Sequence, residues 1–91
     1  MAKLTFKTTL NENSWTAIAS SNDYASFGLM CVSGVAKIFI GDSEPENDEE
    51  DWLPVSASDS RELAMAIPTG HTVYAMAKVD DTVVAGFKVP A

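Results

Sequence analysis

Cations are scarce in this sequence. Lys and Arg number 6 against 13 Asp and Glu, a formal charge of −7, whereas a nucleic-acid binder needs clustered cations to displace phosphate counterions. Nucleic acid is therefore not an expected partner. Lys3, Lys7, Lys37, Arg61, Lys78 and Lys88 stand one by one along the chain, so no short segment assembles a polybasic membrane patch or a phosphate clamp. Cysteine is nearly absent as well. Cys31 alone cannot close an intrachain disulfide, and its run Phe27-Gly28-Leu29-Met30-Cys31-Val32 reads as a strand core in which a thiol is a small buried hydrophobe.

With one histidine, His71, and one cysteine, a zinc site could be completed only by carboxylates. Nucleophilic catalysis needs a nucleophile beside a base. No Gly-x-Ser-x-Gly elbow occurs, and His71 in Pro68-Thr69-Gly70-His71-Thr72 reads as a turn-edge residue. Long apolar runs are also missing: nothing approaches the ~20 residues of a membrane span, and Met1-Ala2-Lys3-Leu4-Thr5-Phe6-Lys7 lacks a signal-peptide pattern. These absences predict no enzyme activity, no cofactor, no membrane partner and synthesis in a reducing cytoplasm.

What is present is a period of two. The chain has 91 residues, 46% of them hydrophobic and 21% charged, the size of one domain spanning 1–91. Leu4 and Phe6 alternate with Lys3, Thr5 and Lys7, which makes 3–9 a first strand. Turn chemistry at Asn11-Glu12-Asn13-Ser14 and Ser20-Ser21-Asn22-Asp23 brackets a short strand, Trp15-Thr16-Ala17-Ile18-Ala19. Tyr24–Val32 and Val35–Ile40 are separated by Ser33-Gly34, the spacing of a β-hairpin.

Later segments follow at Trp52–Val55, Ser60–Ile67, His71–Lys78 and Thr82–Val89. In 59–67, Asp59-x-x-Glu62 resembles a helix capping box, but Leu63, Met65 and Ile67 alternate, and strand is the better reading. The last segment sets Val83, Ala85, Phe87 and Val89 on one face and Val84, Gly86 and Lys88 on the other. Its Asp80-Asp81 lead-in reads as a tight hairpin closing a C-terminal meander. The expected fold is all-β: a small antiparallel sandwich or barrel of about seven or eight short strands.

One segment breaks the pattern. Residues 42–51 hold seven carboxylates and no cation, so self-repulsion makes them an acidic loop. Calcium is the metal such a loop could hold, through Asp42, Glu44, Glu46 and Asp48, because Ca²⁺ takes six to eight hard oxygens. As an EF-hand it fails, since Asn47 stands where Gly is needed and Leu53 where Glu is needed. A solvated loop that keeps the chain soluble is the better reading. Trp15, Tyr24, Trp52 and Tyr74 could form a stacking platform for a sugar, although aromatics at strand positions are usually half-buried core.

Three pieces in order, Trp15-Thr16-Ala17-Ile18-Ala19, Gly34 through Gly41-Asp42-Ser43-x-Pro45, and Ile67-Pro68-x-Gly70-x-x-Val73-Tyr74-Ala75, resemble the short β-proteins of tailed-bacteriophage structural genes. In such chains a strand ending in Gly-Asp-Ser-x-Pro enters a variable loop, and a Pro-x-Gly turn feeds a Val-Tyr-Ala strand. The resemblance covers about 15–78, and the acidic insertion at 44–51 departs from it. It implies a non-enzymatic virion component, most simply a capsid decoration or cement protein made in the host cytoplasm and displayed on the capsid surface. Its partners would be the major capsid protein or other virion proteins, with the chain a homo-oligomer or multi-copy on a lattice. The alternative is a small binding module for host glycan or protein on a tail or fibre. Lys3, Phe6 and Lys7 on the N-terminal strand, with Trp52, are the contact candidates.

Overall fold

The computed structural model describes residues 3–59 and 62–91. Ser60, the start of the sixth segment, and Arg61, one of the scattered cations, lie outside the described residues. The strands are β1 (Thr5–Thr9), β2 (Thr16–Ser20), β3 (Tyr24–Ser33), β4 (Val35–Gly41), β5 (Leu53–Ser56), β6 (Glu62–Ala66), β7 (Thr72–Ala77) and β8 (Val83–Pro90). They form two four-stranded sheets, the first in the order β1-β8-β3-β6 and the second β2-β7-β4-β5. Every pairing is antiparallel. The fold is all-β, as the alternation implies, and of the sandwich and the barrel it is the sandwich; 62–66 is strand, with Leu63 and Met65 packed on the core.

The core lies between the sheets. Phe27, Leu29, Cys31 and Val84 reach it from the first sheet, and Ile38, Val55, Val73 and Ala75 from the second. Alternation along each strand puts every second side chain there, and the tight packing of Val73, Val84 and Ile38 excludes water. Pro54 is tolerated because β5 is an edge strand whose outer N–H positions need no ladder partner.

The expected partners are where the structure differs. Tyr24–Val32 and Val35–Ile40 do not make a hairpin: β3 pairs with β8 and β6 in the first sheet, and β4 with β7 and β5 in the second. Ser33-Gly34 is a corner at which the chain crosses the core. Gly34 has φ +79° and lies so close to Thr82 that a Cβ there would overlap its side chain. Asp80-Asp81 is a second corner, with Asp81 at φ 59°, so β7 and β8 also sit in different sheets and the expected meander does not exist. Fully buried Thr82 ties the corners together: its hydroxyl reaches the Val79 carbonyl at 2.8 Å and accepts from the Val35 N–H at 3.3 Å. Ser33 adds a 2.8 Å hydroxyl bond to the Asp81 carbonyl.

The register decides which face of β8 is inside. Its more apolar face, Val83, Ala85, Phe87 and Val89, is turned outward. The face that pairs inward carries Val84, opposite Cys31, Gly86, opposite Leu29, and Lys88, opposite Phe27. A lysine therefore projects from an inward register position near the end of the sandwich.

Candidate functional site

Lys88 defines a crevice at the seam between the two sheets. The seam lies between edge strands, β1 of the first sheet and β2 of the second. It opens into a cavity of about 190 Å³ lined by Phe6, Thr8, Thr16, Ala17, Ile18 and Lys88, with Lys7 on the rim. Phe6 and Thr8 face inward because they pair with Gly86 and Val84. On β2 the register shifts between Ala17 and Ala19. This bulge leaves Ile18 outside the ladder, and its carbonyl accepts a hydrogen bond from the Lys88 ammonium at 3.2 Å.

Two rings hold the same ammonium. Lys88 Nζ lies 4.8 Å from the Tyr24 ring centre and 5.1 Å from that of Phe6, and each such contact contributes about 0.5–2 kcal/mol according to how far the cation is desolvated. An ammonium has three donors, of which the Ile18 carbonyl takes one. Chemically the crevice offers a cation, one aromatic wall, Phe6, and the hydroxyls of Thr8 and Thr16, a set suited to an anion attached to a polar body that has an apolar face. The lining contains no His, Asp, Glu or Cys.

A second lysine and aromatic grouping occupies the outer face of the second sheet. Trp15, Tyr74 and Met76 are buried there, with Phe39 and Trp52 packed against them, and the Trp15 and Phe39 rings are 6.0 Å apart. Lys37 and Lys78 both lie over Trp52, at 5.2 and 5.5 Å from its centre. The acidic loop is fastened to this cluster by the chain itself: the Trp15 indole N–H donates to the Glu46 carbonyl at 3.0 Å.

The contact candidates are thus divided. Lys3 and Lys7 are exposed, Phe6 is half-buried in the crevice wall, and Trp52 leads into β5 of the other sheet, half-buried beneath two lysines. Asp42, Glu44, Glu46 and Asp48 do not converge: among the described residues no three His, Cys, Asp or Glu gather as metal ligands. Burial pushes the Cys31 thiol up, and it donates to the Ser33 carbonyl at 3.1 Å, the behaviour of a packed, unreactive group. His71 sits at the turn edge with Nδ1 3.1 Å from the Thr69 carbonyl, away from the crevice lining.

Lys88 is the site residue that sequence reasoning missed; Tyr24 was expected only as part of a stacking platform with Trp15, Trp52 and Tyr74, which cluster without it. The usable signal was the parity of Lys88 with Val84 and Gly86. Its meaning depended on knowing that this face, and not the bulkier one, turns inward.

No protein-family profile matches the chain, and no curated protein matches it by sequence. Solved structures do share its fold. A double mutant of ChmJ, a 3'-monoepimerase from Streptomyces bikiniensis in complex with dTDP, superposes with a TM-score of 0.61 at 14% identity. The rmlC epimerase of Mycobacterium tuberculosis does so with a TM-score of 0.61 at 13% identity. Each match covers 92% of this chain but 44% of the other, so this chain spans less than half of either. These neighbours correct the expectation of a non-enzymatic virion structural protein. That expectation leaned on the β-only architecture, and the same architecture is found in epimerases. At this identity the likeness is one of fold: the chain has the β-sandwich seen in these epimerases.

Proposed function

We propose that this chain is a binding module for a small phosphorylated sugar or nucleotide, taken at the Lys88 crevice. The observation that carries the reading is the placement of Lys88. In a chain of net charge −7, one ammonium is held between two rings and a main-chain carbonyl at the mouth of an open cavity. That arrangement fixes the cation before the ligand arrives, so little side-chain entropy remains to be lost on binding. The ChmJ structure was solved with dTDP bound, which supports the choice of a nucleoside diphosphate as a probe.

Size limits what enters. At about 190 Å³ the cavity is smaller than the ~300 Å³ at which ordinary small-molecule pockets begin. It takes the phosphate end or one ring, and the rest of the ligand lies along the β1/β2 seam. Turnover is not part of the proposal.

Calorimetry with dTDP, glucose 1-phosphate and unphosphorylated glucose tests it. The expected result is binding of the two phosphorylated compounds near the millimolar level, ~4 kcal/mol, no measurable binding of glucose, and loss of binding in Lys88→Met. Equal binding by Lys88→Met, or none of either phosphorylated compound, overturns the reading.

A further inference from the structure

The outer face of the first sheet is apolar and uncovered. Phe87 is 41% exposed, Met30 38% and Val89 36%, and between them lie Gly28, Ala64, Ala66 and Ala85, leaving a groove of about 290 Å³. The opposite outer face carries its own cover, the acidic loop bonded to Trp15. Outer faces of antiparallel sheets are ordinarily polar, and a contiguous apolar one marks a contact surface.

We infer that this face docks on the same face of a second copy, through a two-fold axis running along the strands. The registers supply the argument. One row across the sheet reads Lys7–Ala85–Met30–Glu62, the next Thr5–Phe87–Gly28–Ala64, and β8 and β3 pair Val89 with Ser26 in a third. A two-fold along the strands reverses each row over itself. Lys7 of one copy then meets Glu62 of the other, twice per dimer, and Met30 covers Ala85 while Val89 covers Ser26. The two Phe87 rings meet near the axis above the Gly28 pair.

Charge sits at the two ends of the row with opposite sign, and large side chains oppose small ones. This self-complementarity is what an isologous interface requires. A two-fold across the strands would put β1 on β1 and lose the Lys7–Glu62 pairs. Net charge does not oppose the dimer, because the acidic loops end on its two far sides. They are separated by the thickness of two sandwiches, each 18 Å in its shortest extent, several times the ~8 Å over which charges act in physiological salt.

Sedimentation equilibrium from about 10 μM to 1 mM tests the inference, with Lys7→Glu, Glu62→Lys and the double exchange; both residues are exposed, and melting curves confirm that each variant folds. The wild type is expected to dimerise, each single reversal to weaken the dimer roughly tenfold or more by setting like charges together, and the double exchange to restore it. A monomer throughout, which leaves the face to another occupant, overturns the inference. So does a dimer indifferent to the reversals, or one that the double exchange fails to restore.

Discussion

Lysine meets aromatic rings in two places, and the arithmetic is inverted between them. At Trp52 two ammonium groups share one ring on the outer face of the second sheet. At the β1/β2 seam one ammonium is shared by two rings and a carbonyl. The first arrangement sets two ammonium groups over one half-buried ring at the edge of an aromatic cluster on an outer face, so it serves as cover. The second holds a cation beside a cavity. The same residue types therefore make packing in one place and a candidate site in the other, and the ratio of rings to charges and the adjoining space distinguish them.

If that distinction holds, damage at the two places separates. The largest effect on stability belongs to Trp52→Ala, which removes a half-buried ring and its two cation contacts. Stability should fall by about 2 kcal/mol, roughly 8–16 °C in melting temperature for a domain of this size, with phosphate-ligand affinity at the seam unchanged. Lys88→Met should act chiefly on binding. It should weaken dTDP binding at least tenfold, through loss of a charge-assisted contact of about 1.5–3 kcal/mol, and lower stability by about 1 kcal/mol, because two cation–ring contacts go while Met fills the same space. A loss of dTDP affinity in Trp52→Ala as well would erase the comparison.

Finer tests sharpen it. Trp15→Phe keeps the ring but removes the bond to the Glu46 carbonyl. It should cost about 1 kcal/mol and speed amide exchange across 44–51, with the seam unaffected. The smallest effect is at Glu12. The hydrogen bond with Asp80, then burial and the charges of Asp80 and Asp81, hold its carboxyl above the ordinary value. A carboxyl raised in the folded state contributes stability below its unfolded pKa and loses that contribution as pH climbs through the folded one. Glu12→Gln should thus raise the melting temperature slightly at pH 7 and flatten the difference between pH 4 and pH 7.

How far the sequence could be read follows from what alternation encodes. Period two marks segments 3–9, 60–67 and 82–89 as strands because each alternates along its length, and the composition of 42–51 marks a loop. Alternation carries no information about partners. Ser33-Gly34 has the residues of a hairpin turn, yet it serves as a corner, since Phe27 and Leu29 must reach the core from one side and Ala36 and Ile38 from the other. Nor does it say which face is inside when both are apolar. On β8 Val84 is fully buried while Phe87 is exposed, and the position of Lys88 depends on that choice. The crevice joins Phe6, Ile18, Tyr24 and Lys88, residues up to 82 positions apart in the chain, and its key polar atom is a main-chain carbonyl at a bulge. No side-chain motif could have announced it.

The most direct test is a titration of isotope-labelled protein with dTDP to about 10 mM, followed through backbone amide resonances. Saturating shifts confined to Phe6, Thr8, Thr16, Ile18, Tyr24 and Lys88, and absent in Lys88→Met, are what the account predicts. No shifts over that range, or shifts that persist in Lys88→Met, would contradict it.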